Sequence, residues 1–383
     1  MMKTAVIGAA TSNFGELWDV SPRALVRQIV DHALSDAHLK ISDIDAIYVG
    51  NMLSGILGNQ ENLGAFFSHE LNLTCPAFKI EGACASGGLA FYNGLLGVRS
   101  GAFEKVLVIG VEKMTDHKPE DVALGLMGAG SSAERYAGAT FPGLYALMAR
   151  LHMNEFGTTE EHMAAVAVKN HYHASLNGKA HFKKPVTIEQ VLQSPKIADP
   201  LKLLDCSPIS DGAAAAIIVN ETFAKKHPKP IWISGASVAT DSLDLAGRKT
   251  LTSLTAAVTA GKRAMSEAGI TPSDIDVAEL HDCFTIAEIM ALEDLGFYKK
   301  GKAGQAVLTG ETTLGKSRLT TNTSGGLKAC GHPVGATGVK QVVEIVKQLR
   351  NEAENKQVEN ARVGLTHNVG GSGAVAVIHI FKR

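Results

Sequence analysis

Residues 33–45 of the chain read ALSDAHLKISDID, and residues 264–276 read AMSEAGITPSDID. Aligned without a gap, seven of the thirteen positions are identical, and Leu34/Met265, Asp36/Glu267 and Leu39/Ile270 are conservative. Each copy closes a helical pattern and runs into an apolar strand, Ala46–Gly50 in one case and Val277–Leu280 in the other. The first of the two helices opens with Ser21-Pro22, a capping residue followed by proline at the first helical position. A unit repeated 231 residues later is no solenoid turn, whose period runs to roughly 20–50 residues. It is the mark of a duplicated domain.

The rest of the chain fits two halves. Apolar strand patterns occur at Thr4–Ala9, Ala46–Gly50, Ala77–Ile80 and Lys105–Gly110, then at Pro230–Gly235, Val277–Leu280, Val363–His367 and Ala374–Phe381. Helical patterns separate most of them, the clearest being Val339, Val342, Val343, Val346 and Leu349. This alternation predicts an α/β protein with largely parallel sheets covered on both faces. From about Lys113 to Cys206 the pattern changes to glycine-rich turns and irregular helices. The expected organisation is a first half at 1–112 (completed by about 207–225), an inserted loop domain at 113–206, and a second half at 226–383.

Composition narrows the partners. There are 37 basic and 38 acidic residues among 383, with a pI near 6.9. Binding to nucleic acid or to a membrane surface needs a basic excess, so neither is expected. No apolar run approaches the ~20 residues that span a bilayer. The opening MMKTAVIGAATSNFGELW does not read as a secretory leader, and Phe381-Lys382-Arg383 is no peroxisomal address. Five cysteines, an odd number, make no disulfide framework. A cytoplasmic protein with reduced thiols is expected.

Four strand-end segments carry chemistry. In EGACASGG (Glu81 to Gly88), Cys84 follows a strand and opens a helix, where free N–H groups favour a thiolate. Cys84 reads either as a nucleophile or as a small buried cysteine. In GGLKACGHPVGATG (Gly325 to Gly338), His332 precedes a helix in the same way, and both residues have glycine three positions later, at Gly87 and Gly335. Duplicated halves would let Cys84 and His332 face each other across a pseudo-twofold axis, a base beside a thiol. HDCF (His281 to Phe284) adds a hydrogen-bond donor and a second thiol, Cys283, at another strand end. THNVGGSGA (Thr366 to Ala374) is a glycine turn whose amides suit an oxyanion hole.

Two other patterns lead elsewhere. GETTLGKS (Gly310 to Ser317) matches the phosphate-loop pattern, but that loop needs a helix behind it, and RLTTNTSGGLK is a poor helix start. His281, Cys283, Cys330 and His332 supply two histidines and two cysteines, enough for tetrahedral zinc, yet their H-x-C and C-x-H spacings are tighter than zinc motifs use. No metal is expected.

The run around Cys84, SPISDGAAA (Ser207 to Ala215), GHPVGATG around His332 and the final glycine turn resemble, in this order, the thiolase family over essentially the whole chain. The resemblance implies a thiolase fold, a duplicated five-layered αβαβα arrangement with an inserted loop domain that holds coenzyme A. By the same resemblance Cys84 carries the acyl group and His332 activates it. His281 stands where many thiolases place an asparagine that helps hold an oxyanion-hole water, and Ser207 touches the pantetheine arm. The backbone N–H groups of Cys84 and Gly370 match a second oxyanion hole. Many thiolases carry a second catalytic cysteine before the final glycine turn; here that position is Asn368. Cys283 is the expected substitute, because thiolases of the sterol-carrier-protein and archaeal types carry HDCF; Cys330 is the second choice.

The implied reaction is a ping-pong condensation of two acetyl-CoA molecules, or the reverse thiolysis of a 3-ketoacyl-CoA. Coenzyme A thioesters are substrates, and no cofactor is expected. Ketoacyl or hydroxymethylglutaryl-CoA synthase-type enzymes and a non-catalytic acyl-CoA-binding or scaffold subunit share the fold and are the alternatives. The implied partners are a second copy through the first half (a homodimer or dimer of dimers), and hydroxymethylglutaryl-CoA synthase with an OB-fold bridging protein. Coenzyme A phosphates need cations, and Lys169, Lys179, Lys183 and Lys184 lie in a stretch without acidic residues. Lys183 and Lys184 are the candidate dock, against the alternative of a solvated basic face.

Overall fold

The fold is described from a computed structural model, for residues 2–316 and 319–383. The main sheet has ten strands: β1 (Thr4–Thr11), β2 (Ala46–Gly50), β3 (Ala77–Ile80), β4 (Lys105–Glu112), β5 (Gly212–Asn220), β6 (Ile231–Thr240), β7 (Val277–Glu279), β8 (Thr320–Thr321), β9 (Val363–Gly370) and β10 (Val375–Lys382). Their spatial order is β8-β7-β9-β10-β6-β1-β5-β4-β2-β3. Read outward from the centre, β1-β5-β4-β2-β3 mirrors β6-β10-β9-β7-β8, so the duplication extends to topology. The halves join where Ala5 pairs with Trp232 and Val6 with Ile231.

Helices complete the layers: α1 (Pro22–Ala37), α2 (Ser86–Arg99), α3 (Phe141–Phe156), α4 (Glu160–Ser175), α5 (Thr255–Ala268), α6 (Thr285–Asp294) and α7 (Val334–Arg350). In α1, Leu25, Val26, Ile29, Val30, Ala33 and Leu34 recur at helical spacing and are buried against β1 and β5. Its counterpart α5 covers β6 and β10. Between the two sheet halves lie α2 and α7, packed on each other and on strands of both halves. Outer helix, half-sheet, central pair, half-sheet and outer helix are the five layers.

The sequence repeat is a repeat of hydrogen bonds. After α1 the chain turns left-handed at His38, and the Lys40 N–H donates to Asp43; after α5 it turns at Gly269, and the Thr271 N–H donates to Asp274. Asp45 then accepts from the amides of Glu104 and Lys105, as Asp276 does from Arg362 and Val363. Asp36 binds the Ala9 amide and Glu267 the Ala236 amide. These two acids also tie the halves together crosswise. Arg350, ending α7, pairs with Asp36 at 2.8 Å, and Arg99, ending α2, pairs with Glu267 at 2.7 Å.

Three features differ from the sequence reading, which assigned no strand at 212–220. The sheet is mixed, with four parallel and five antiparallel pairings. β10 follows β9 through a tight glycine turn, and β5 returns from the insertion alongside β4, so neither connection is a crossover. Second, β5 carries the run AAAA, which favours a helix by propensity; burial at every position makes it a central strand. Third, the insertion is not irregular. It contains α3 and α4, sixteen residues each, capped by the Thr140 and Thr159 side chains. The phosphate-loop-like run lies in turns that lead to β8 rather than to a helix. Its last residue, Ser317, lies outside the described residues.

Glycines set how closely α2 and α7 approach. A Cβ at Gly338 would lie 2.1 Å from the Gly88 nitrogen and 2.3 Å from Asn368 Oδ1. Gly338→Ala should therefore destabilise the fold by about 3 kcal/mol, read as a lower urea midpoint. Gly178→Ala, where a Cβ meets nothing within 4 Å, should leave that midpoint in place. Equal effects at both positions would mean that the helix crossing can absorb a side chain.

Candidate active site

The loops after β3, β7 and β9 and the junction between a short helix (Gly326–Cys330) and α7 bring Cys84, the HDCF loop, the glycine turn and His332 together. Cys84 sits in the turn Ala83–Ala85 between β3 and α2. That turn is held by Glu81, which accepts from the Ala83 amide, and by Ser86 Oγ, which accepts from Gly82 and donates to the Ala83 carbonyl. Ala83 takes a left-handed φ of 53°, a backbone strain that a non-glycine residue bears at a cost. His281 to Phe284 link β7 to α6. Asp282 of this loop accepts from the Leu327 and Lys328 amides and from Asn170, and so fastens it to the segment that leads to His332. The Glu112 carboxylate accepts from the Gly335 amide in the first turn of α7, where a helix favours an anion, and from the amides of Met52 and Leu53.

The Cys84 sulfur and one ring nitrogen from each of His281 and His332 all lie within 4.8 Å of one another. The two imidazoles meet edge-on, 5.1 Å between centroids at 85°. Cys84, Cys283, His332 and Ser207 line a pocket of about 220 Å³ whose remaining wall is mostly apolar. Ser207 donates its amide to the Cys283 carbonyl at 2.9 Å, which joins the SPIS segment to the HDCF loop. His332 Nδ1 lies 2.7 Å from Thr337 Oγ1, whose own proton goes to the Pro333 carbonyl. The Thr337 oxygen therefore accepts from Nδ1–H, leaving Nε2 as the basic nitrogen. No partner among the described residues meets that Nε2.

Removal of water governs the charges. Desolvation pushes the Cys84 thiol up to about 12, against the amide of Gly371, which donates to the sulfur. It pulls His332 down to about 3, aided by the Lys340 ammonium, and raises Cys283 well above the usual thiol range. The helix-terminus expectation for Cys84 is corrected accordingly. The sulfur is a thiol at rest because burial outweighs the short turn's dipole, and Glu112 and Glu81 add negative charge nearby.

Other expected residues fall differently. Gly370 pairs with Val375 and packs against the Gly82 carbonyl, and the amide aimed at the Cys84 sulfur belongs to Gly371. Lys183 and Lys184 are exposed on the loop after α4 and do not line the pocket. Lys169 is not on a basic face: it is buried against Glu288 at 2.6 Å, and Lys179 binds the Thr11 carbonyl. Cys330 packs with Phe14, Ala174 and Ala336, apart from the Cys84 group, so the four residues weighed for zinc do not converge. Sequence reasoning missed Tyr145, a buried residue of α3. Its ring lies tilted against Phe284, 4.6 Å between centroids, and its hydroxyl donates to the Gly371 carbonyl at 3.4 Å beside Cys283, whose ionised form it favours. No local motif marks it.

A neutral thiol beside a neutral imidazole has a kinetic signature. The rate of iodoacetamide alkylation at Cys84, followed by peptide mass, should show no inflection near pH 6.5, where a free imidazole titrates. An inflection there would mean that Cys84 and His332 ionise as a pair.

The family profile described as "Thiolase, N-terminal domain" matches residues 4–222, and that described as "Thiolase C-terminal domain-like" matches 237–383. The chain is 46% identical to the acetyl-CoA acetyltransferase of Methanothermobacter thermautotrophicus, with all of both chains covered. It is 43% identical to the acetyl-CoA acetyltransferase of Methanocaldococcus jannaschii over all of this chain and 99% of that one. Among solved structures, the Ltp2-ChsH2(DUF35) aldolase superposes with a TM-score of 0.83 at 25% identity, over 98% of this chain and 97% of that one. The chain belongs to the thiolase family and is an acyltransferase.

Proposed function

We propose that the chain is an acetoacetyl-CoA thiolase that works through an acetyl group on Cys84. The observation that carries this reading is the convergence of Cys84 with the free Nε2 of His332 on a pocket that also holds Cys283. His332 Nε2 takes the Cys84 proton as the sulfur attacks the thioester carbonyl of acetyl-CoA. The departing coenzyme A sulfur takes a proton from Cys283. Imidazolium and Cys283 thiolate then coexist beside acetyl-Cys84. The thiolate removes an α-proton from a second acetyl-CoA, and the resulting carbanion attacks the acetyl carbon. Cys84 leaves as thiolate and recovers its proton from His332, so every group returns to its resting state. Thiolysis is the same path reversed.

Both carbonyl oxygens gain negative charge on the way. Each preorganised donor that meets one is worth about 3 kcal/mol, and the amides around Cys84 and the imidazole of His281 are the donors of this reading. The Tyr145 hydroxyl supports the Cys283 thiolate, the form that desolvation alone would make costly.

Intact-protein mass after brief mixing with acetyl-CoA tests the assignment. Wild type and Tyr145→Phe should each gain one acetyl group, Cys283→Ala the same more slowly for want of its leaving-group proton, and Cys84→Ala none. Condensation should be lost in Cys283→Ala and slowed on the order of tenfold in Tyr145→Phe, the loss of about one hydrogen bond. Coenzyme A binding without acetylation of any form would leave a binding subunit with this fold.

In the similar aldolase, Ltp2 is joined to ChsH2, a DUF35 protein. We extend such a partnership, through a small OB-fold protein, to this chain. A tagged copy purified from its native source should bring a small second protein with it in fixed ratio. Recovery as a lone homo-oligomer would remove that partner.

A further inference from the structure

We propose that Asn368 is a positioning residue that holds the proton of His281 on Nε2, so that the Cys84–His281–His332 cluster presents one donor and one base instead of a metal-binding set. One sulfur and two imidazole nitrogens within 4.8 Å, open to a pocket on one side, are ligands that zinc accepts. Whether they serve that end depends on where the histidine protons sit.

The Asn368 amide cannot be turned over. Its Oδ1 accepts from the Gly88 N–H at 3.0 Å, and its Nδ2 donates to the Cys84 carbonyl at 3.0 Å. An N–H can only donate and a carbonyl can only accept, so both ends of the amide are assigned by their partners. The second hydrogen of Nδ2 then points to His281 Nδ1, 3.2 Å away, and that nitrogen must accept. Burial keeps the His281 imidazole neutral, so its one proton rests on Nε2. His332 has the opposite arrangement, with its proton on Nδ1 toward Thr337. The two Nε2 atoms, neither with a partner among the described residues, thus differ in kind: His281 offers a hydrogen and His332 a lone pair.

A cation at His281 Nε2 would drive the proton to Nδ1, directly against the Asn368 N–H. The residue therefore opposes metal capture by the same contact that prepares a donor. Aspartate would reverse this, since a carboxylate accepts from Nδ1–H and leaves Nε2 free to ligate, the usual support of a zinc-bound histidine. The catalytic use of the donor rests on the thiolase reading; the metal argument does not.

Zinc alone, titrated calorimetrically into wild type, Asn368→Asp and Asn368→Ala, tests the assignment. Asn368→Asp should bind zinc at least about tenfold more tightly than wild type, with the gain lost in Asn368→Asp/Cys84→Ala and Asn368→Ala falling between. Condensation by Asn368→Asp should lose kcat more than it raises KM. Equal zinc affinity in wild type and Asn368→Asp would overturn the proposal. Should the variants fail to fold, long-range proton–nitrogen NMR of histidine-labelled wild type reads the tautomer directly. Hydrogen on Nε2 of His281 supports the proposal, and hydrogen on Nδ1 overturns it. Failure of wild type to take acetyl from acetyl-CoA would sink the thiolase reading and leave these two readouts standing.

Discussion

The crossing of α2 and α7 is the constraint on which the site depends. Gly87 lies where a Cβ would be 2.5 Å from the Gly335 carbonyl, and Gly338 presses on Gly88 in the same way. Without side chains at these positions, two helix starts approach closely enough for a sulfur carried by one half to meet an imidazole carried by the other. Bulk there would push against Gly50 of β2 and Gly110 of β4 as well as against the facing helix. The same contact reaches Asn368, whose oxygen fills the space a Gly338 side chain would need. Helix spacing, sulfur placement and histidine orientation are therefore one packing problem.

At rest the reactive groups carry no standing charge. Cys84, His281, His332 and Cys283 all have acidities shifted toward their neutral forms by loss of water. A site of this kind keeps its charges for the moment of reaction, when a proton moves over a short distance and an ion pair appears in a medium that screens it weakly. The outlay is the removal of four polar groups from water. Fixed donors and acceptors offset it: Thr337 for His332, Asn368 for His281, Tyr145 for Cys283 and the Gly371 amide for Cys84.

What could be read in the sequence was what is local. The repeat, the strands on either side of it, and the segments around Cys84, His281 and His332 are short runs whose meaning survives without neighbours. Tyr145 could not be read, because it reaches Cys283 from a helix of the insertion and carries no motif. Nor could β5, where alanines that favour a helix are enclosed between β1 and β4. The sign of the Cys84 shift escaped for a related reason: a helix start is visible in sequence, but the depth of water exclusion around it is not. Lys169 misled in the same manner, since Glu288, 119 positions away in the chain, neutralises it.

The crossed ion pairs carry a consequence for what the two halves are to each other. Arg350 reaches back from the second half to Asp36 of the first, and Arg99 reaches from the first to Glu267 of the second. Reciprocity of this kind, i to j and j to i, is the defining property of the interface in a twofold dimer. Both guanidinium groups are largely withdrawn from solvent. Replacing Asp36 or Glu267 by an apolar residue would strand the facing guanidinium inside this contact, at a cost on the order of 3–5 kcal/mol. The halves therefore behave as subunits that happen to share a peptide chain.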